Sequence, residues 1–359
     1  MRLGDASHVY GFGKIGPIPT TVSVSNLQAT SNLRMAVDTV EVTATGNTLL
    51  GPIAALARQR KTWSPQLLAG VVWRGLGNLG AHRRVVRLLK SPVLAETARN
   101  TPRFAFKYLT HDYLARGLST EQRAGCFLHH YRRLQATFPE SFLRQVLLRN
   151  IQLHAIELDD HRFAVTLCLS RDYDKEGEMS LNFSMDGGEI FLMTFTIVPG
   201  EVVHSEAREV LLISRVQGMK GVYRQVHQST KILYEVAPDA ILLAALQGIA
   251  LACGIGEVAA VTAARQSSYT QESADEFCQA YDRFFQGLDI PQSADGFFRT
   301  PVPIDAKPLT QIKRGHKIRT KIKRAFKQSV QQACAEFIAA QMLPGNRPAL
   351  PLESPFPAE

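Results

Sequence analysis

Two glutamates flank a glycine at Glu176-Gly177-Glu178, just ahead of an alternating apolar segment. On an extended strand, residues two apart lie on the same face, so both carboxylates would point the same way. Such a pair could supply a general base for an amine nucleophile. The alternative is that the two acids only mark the solvated start of a strand.

A glycine-containing turn, Gln217-Gly218-Met219-Lys220-Gly221, separates a strand pattern from a helix pattern. The start of a helix presents backbone N–H groups and the positive end of the helix dipole, which together bind anions. We therefore predict that Gln217, Gly218, Lys220 and Gly221 hold the phosphate of a cofactor or carrier. Alternatively, the glycines only turn the chain.

Histidines are the other candidates for proton transfer. His227 lies on the helix that follows the glycine turn, and it is a candidate base if the site lies there. His129 and His130 are adjacent on a helix, so their side chains point about 100° apart and do not line one site. His130 falls on the apolar side and is expected to be a buried, structural histidine. We find no Ser-His-Asp order, no P-loop and no metal-ligand cluster, so no metal site is expected.

The five cysteines are scattered, and none forms a C-x-x-C pair, which is typical of isolated thiols in a reducing compartment. The first twenty residues lack the apolar stretch of a signal peptide. The most apolar segment, residues 240–261, is interrupted by Gln247 and three glycines, so we interpret it as a buried helix followed by a strand. These features predict a cytoplasmic protein.

The positive charge is concentrated near the carboxyl end. Residues 307–327 contain nine Lys or Arg and no acid, which equals the net charge of +9. Isoleucines recur between these cations, so a helix here would be basic and amphipathic. Anionic phosphates of a membrane surface or of a nucleic acid such as tRNA are the expected partners, and a solvated helix face is the alternative. The cations expected to make these contacts are Lys313, Arg314, Lys317, Arg319 and Lys321.

The chain divides into five segments by composition and periodicity. Residues 1–55 form a variable extension, 56–150 a helical region, 151–305 an α/β domain, 306–345 a basic helix and 346–359 a Pro-rich tail. Ser119-x-x-Gln122 is a capping box that predicts the start of a long helix.

From residue 151 the apolar period changes from that of a helix to that of a strand. Strands are predicted over 151–158, 163–169, 179–185, 190–198 and 209–216, with tight turns at Asp159-Asp160 and Asp186-Gly187. Helices over 222–234 and 239–253, a strand over 257–262, a helix over 273–285 and a strand over 296–303 follow. The fold class is therefore predicted to be α+β: a helical amino-terminal region packed on a mixed, mostly antiparallel sheet with helices.

A series of short motifs runs through residues 100–325 in a fixed order. These are Phe106-Lys107-Tyr108-Leu109, Leu118-Ser119, His130-Tyr131, Glu176-Gly177-Glu178, Val216-Gln217-Gly218, Thr230-Lys231, Pro238, Tyr281-Asp282-x-Phe284-Phe285 and Lys313-Arg314. In this order the chain resembles the bacterial VirK/YbjX family, which has no established reaction. The chain departs from the family pattern at Glu235-Val236-Ala237-Pro238, where an arginine is usual before the proline, and at Phe284-Phe285, where Phe-Trp is usual. The resemblance implies a setting in envelope remodelling and resistance to antimicrobial peptides.

The order strand, glycine turn, helix, strand, helix, strand within 151–305 also resembles GCN5-related acyltransferases. That resemblance implies a coenzyme A thioester or another acyl or aminoacyl carrier bound at the glycine turn. It also implies that Tyr281 on the late helix protonates the leaving group.

Two functions follow from these features. The first is an acyl- or aminoacyl-transferase that forms an amide or ester on a small acceptor, with Glu176 or Glu178 as base and Tyr281 as acid. The second is a non-enzymatic envelope-stress protein, peripheral to the inner membrane, that binds the membrane surface through residues 307–327.

Overall fold

The computed structural model describes residues 73–171, 175–267 and 281–347, together with Gly70 and Tyr269. The predicted extension 1–55 and nearly all of the Pro-rich tail lie outside the described residues. So does most of the helix predicted over 273–285.

Helices make up the first part of the described chain, as predicted. The capping box is confirmed: Ser119 Oγ accepts from the backbone N–H of Gln122 at 3.1 Å, and Gln122 Oε1 accepts from that of Ser119 at 2.8 Å. The helices here include α1 (Leu79–Leu88), α2 (Pro92–Asn100), α3 (Thr120–Thr137) and α4 (Glu140–Leu148).

Seven strands form one sheet, in the order of the sequence. The predicted turns are confirmed, because Asp159, Asp160, Asp186 and Gly187 all have the positive φ angles that tight turns require. The first five strands are β1 (Asn150–Leu158), β2 (His161–Leu169), β3 (Met179–Met185), β4 (Gly188–Pro199) and β5 (Glu209–Gly218). The last two are β6 (Glu257–Val261) and β7 (Phe297–Pro301).

The sheet is mixed. All neighbouring strands pair antiparallel except β5 and β6, which are parallel. A parallel pair needs a long crossover, and here it contains two helices, α5 (Tyr223–Ile232) and α6 (Pro238–Ala252). The predicted α+β class with a mostly antiparallel sheet is confirmed.

Two more α-helices follow in the described residues, α7 (Arg283–Gly287) and α8 (Lys317–Gln341). Helix α8 packs against α6 at Gly248, where a Cβ atom would lie 2.2 Å from the carbonyl oxygen of Gln331. Only glycine allows the two backbones to approach so closely. Segment 240–261 is thus a buried helix and a strand, as predicted. Among the described helices, none is long and apolar enough to cross a membrane.

Helix α3 lies across strand β4 and connects the helical part to the sheet. His130 is fully buried there, and its Nδ1 accepts the backbone N–H of Ile197 at 3.0 Å. The prediction of a structural histidine is confirmed. Four cysteines are buried, and Cys278 lies outside the described residues.

Candidate active site

The predicted strand, glycine turn and helix are present. Strand β5 ends at Gly218, the N–H of Met219 still donates to Ile190 O at 3.0 Å, and Gly221 turns the chain with a φ of 84°. Helix α5 begins two residues later, and its N-cap Val222 provides no side-chain hydrogen bond to the first turn. The start of α5 therefore has no acceptor from its own cap, and Lys220 is exposed beside it.

The parallel pair β5–β6 is short. Its register runs only from Leu211 opposite Val258 to Ile213 opposite Ala260, whereas β5 continues to Gly218. Ligands of open α/β sheets bind at the carboxyl ends of parallel strands. We call this place, where β5 and β6 cease to pair, the carboxyl-end site.

A β-bulge marks the residue at which the pairing stops. Ile213 pairs with Phe195 and Arg215 with Thr194, which leaves Ser214 as an extra residue on β5. Ser214 is buried, and its Oγ has no hydrogen-bond partner among the described residues. Bulges of this kind are frequent next to active sites.

Glu176, in the segment just before β3, contributes its side chain to the carboxyl-end site. One carboxylate oxygen accepts from Arg215 Nη1, and the other accepts from Ser267 Oγ at 2.9 Å. Arg215 lies on β5, and Ser267 lies shortly after β6. Glu176 therefore bridges the two strands where their ladder has ended, with 5% of its surface exposed.

Tyr281 is placed near the same end. The carboxylate of the next residue, Asp282, accepts the backbone N–H of Ala263 at 2.8 Å, and Ala263 follows β6 by two residues. Tyr281 itself is buried. The sequence-predicted acid and Glu176 thus approach the parallel pair from two segments of the chain.

Glu178 lies in different surroundings. The two glutamates precede β3 instead of lying within it, because Gly177, with a φ of 153°, turns the chain between them. Glu178 is fully buried and pairs with Lys107 Nζ at 2.6 Å. Both its oxygens are occupied, since Tyr113 donates to Oε1 and Tyr131 donates to Oε2. We call Glu178, Lys107, Tyr113 and Tyr131 the buried quartet.

The quartet keeps its phenols protonated. Burial, and then the neighbouring charge of Glu178, raise the pKa values of Tyr113 and Tyr131 well above the usual 10.0. Burial, and then the charge of Glu178, also raise the pKa of the Cys126 thiol. None of these groups is a nucleophile at neutral pH, so the quartet neutralises a charge in the core and holds the chain in place.

His227 is exposed on α5, where its ring stacks on that of Tyr223 at a centroid distance of 6.4 Å. The described contacts of His227 therefore place it on the surface of α5 and connect it to neither glutamate.

Comparison with known proteins agrees with the ordered motifs. A model of the family described as "Protein of unknown function (DUF535)" matches residues 71–332. The chain belongs to the DUF535 family. No curated protein and no solved structure matches it.

The DUF535 match covers every residue named in the carboxyl-end site and in the buried quartet. Several of these residues were not predicted from the sequence. Arg215, Ser214 and Ser267 carry no local signal. Lys107 and Tyr131 lie within short motifs that support the family resemblance, and those motifs were the one available hint to the buried quartet.

A depression of about 420 Å³ lies at the turn between β1 and β2 in this DUF535 member. It is open and acidic, and its one histidine, His161, is bound to Asp186 at 2.7 Å and to Gln228 at 3.0 Å. Among the described residues, no group of three or more His, Cys, Asp or Glu is arranged to hold a metal ion. The carboxyl-end site remains the better candidate because polar groups from β5, from the segment after β6 and from the segment before β3 converge there.

Proposed function

We propose that this DUF535 protein transfers an acyl or aminoacyl group from a phosphate-containing carrier to an amine or hydroxyl. The observation that supports this most directly is the end of β5–β6 pairing at the Ser214 bulge, directly ahead of the glycine turn. A carrier arm could hydrogen-bond along β5 beyond Ile213, where β5 no longer pairs with β6, while its phosphate meets the start of α5.

Buried polar atoms near the site fit such a ligand. Ser214 Oγ and Gln266 Oε1 are both buried without a hydrogen-bond partner among the described residues. Ser214 lies on β5, and Gln266 follows β6. A buried polar atom without a partner is costly, so an amide of a bound carrier would satisfy each of them.

In this proposal Glu176 is the base and Glu178 is a positioning residue. The acceptor's amine or hydroxyl attacks the carrier's carbonyl carbon, Glu176 takes the proton, and the bond from carbon to the carrier's sulfur or oxygen breaks. Tyr281 returns a proton to the leaving atom. Glu178 is too enclosed by Lys107 and the tyrosines to meet a substrate.

The test uses the full chain, with coenzyme A and an aminoacyl-tRNA as probes in separate titrations, and mass spectrometry of ligands that copurify. Binding of one carrier is expected, and Lys220→Gln should weaken it. Glu176→Gln should retain binding yet lower the transfer rate by about 10²–10⁴-fold, the usual contribution of a general base.

Glu157→Gln, which removes an exposed carboxylate on β1, is the matched control and should change neither quantity. If neither carrier binds and none copurifies, the proposal is wrong. A Glu176→Gln protein with the wild-type transfer rate would remove Glu176 from the mechanism.

A further inference from the structure

Helix α8 has two halves with different surroundings. Its carboxyl-terminal half is buried against α6 through Val330, Cys334 and Ile338. Its amino-terminal half exposes 76% of Ile318 and 45% of Ile322. These two isoleucines are four residues apart, so they lie on the same face of the helix, one turn from each other.

Cations surround the two isoleucines. Among the described residues, Arg319 and Lys323 pair with Glu235, so part of the positive charge is already neutralised within the protein. Six further cations of segment 307–327 have no acidic partner within the described part of the chain, and four of them lie close in sequence to the isoleucines: Lys313 and Arg314 just before α8, and Lys317 and Lys321 on it. We call these four cations, with Ile318 and Ile322, the α8 surface.

We propose that the α8 surface docks on an anionic lipid bilayer. The two isoleucines would enter the boundary between headgroups and acyl chains, with the helix parallel to the membrane plane. Lys317 and Lys321 have long apolar stems, so they can keep their ammonium groups at the level of the lipid phosphates. The α8 surface is therefore complementary both to the anionic headgroups and to the apolar interior of such a membrane.

The isoleucines distinguish a bilayer from a nucleic acid. Contacts with nucleic-acid phosphates would use the cations but would leave Ile318 and Ile322 in water, and sequence-independent single-strand binding also uses aromatic side chains for base stacking. The α8 surface contains no aromatic residue. This inference is independent of acyl transfer, since none of its residues belongs to the carboxyl-end site.

The experiment is co-sedimentation of the full chain with vesicles of phosphatidylcholine alone and of phosphatidylcholine mixed with phosphatidylglycerol. Binding only to the anionic vesicles is expected, and it should weaken as salt is raised. Replacing the four cations of the α8 surface with Gln should reduce partitioning by about thirtyfold or more, given the attraction of each cation to anionic lipid. Ile318→Ser with Ile322→Ser should reduce it by about tenfold.

Two control proteins match these changes elsewhere on the surface. One replaces the exposed cations Arg83, Arg87, Lys90 and Arg132 with Gln, and the other carries Leu76→Ser and Leu79→Ser, which change two exposed leucines. Both should bind vesicles like the wild type. Failure of the wild type to bind anionic vesicles would overturn the proposal. So would an isoleucine variant that binds vesicles normally while the cation variant alone loses binding to a tRNA probe.

Discussion

Glu176 and Glu178 are separated by one residue, yet one closes the carboxyl-end site and the other anchors the buried quartet. Glu178 is 0% exposed and has the charge of Lys107 at 2.6 Å. Glu176 is also largely covered, but its partner Arg215 continues to the exposed Gln217 at the glycine turn. The carboxylate of Glu178 therefore belongs to the core, and that of Glu176 is connected to the surface through Arg215.

One short segment can thus contribute both to the stability of the core and to the candidate site. Lys175 O accepts from Leu114 N at 2.7 Å, and the N–H of Glu178 donates to Thr196 Oγ1 at 3.0 Å. The segment is therefore held at both ends before β3 begins. Glu176 lies between these two attachments, so its carboxylate is positioned by the contacts of its neighbours.

Among substitutions that test this difference between the two glutamates, Lys107→Met should have the largest effect on stability. Removing the lysine leaves the carboxylate of Glu178 buried without its counter-charge, and we expect a loss of about 3–5 kcal/mol in the free energy of unfolding. Urea denaturation measures it. Lys107→Met combined with Glu178→Gln should recover much of the loss, because no unpaired charge remains.

Lys175→Met is the matched control, since Lys175 pairs with Asp112 at 2.9 Å but is 39% exposed. Its loss should stay below about 1 kcal/mol. Equal losses for the two lysine variants would contradict the distinction between a core charge pair and a surface one.

Gly177→Ala tests the connection between the two carboxylates. A Cβ atom at this position would lie 2.8 Å from Thr194 Cβ and 3.1 Å from Phe195 N, at a φ of 153°. We expect a loss of about 2–3 kcal/mol from overpacking and backbone strain together. Gly187→Ala is the control, because Gly187 has a positive φ but an open surrounding, so only the strain applies. A loss no larger than that of Gly187→Ala would show that the close packing on Thr194 is not required.

The effect that is smallest at neutral pH is a pH dependence of stability that arises from His130 in the core. Burial, and then the charge of Lys107, hold the pKa of His130 well below 6.5. The unfolded chain therefore takes up this proton first, and the free energy of unfolding should fall as pH drops below about 6.5, by up to about 1.4 kcal/mol per pH unit. His130→Asn keeps an acceptor for the N–H of Ile197 but does not titrate. The difference between the two proteins, measured by denaturation across pH 4–8, should follow this slope; identical pH profiles would exclude His130 as its source.

The parts of the site that depend on residues adjacent in the sequence could be predicted from the sequence. The Gly218–Gly221 turn, the strand before it and the helix after it follow from a change of period and from glycine at a turn. The capping box at Ser119 was equally readable, because its two hydrogen bonds span three residues. The expectation that Glu176 and Glu178 share a strand face depended on a strand that begins only at Met179.

The side chains that bind the two glutamates could not be predicted from the local sequence. Tyr113 lies 65 residues from Glu178 in the chain, and Ser267 lies 91 residues from Glu176. Contacts at such separations depend on the order of the strands and on the path of the segment before β3, and neither leaves a pattern in the local sequence.

The fold class, the turns, the basic segment and the glycine turn could all be predicted from the sequence, because each depends on the conformation or charge of residues close in the chain. The tertiary structure was needed to show which carboxylate pairs with Lys107 in the core and which binds Arg215 and Ser267. That choice depends on Gly177 packing against Thr194, which directs one side chain into the core and leaves the other at the end of the parallel strands.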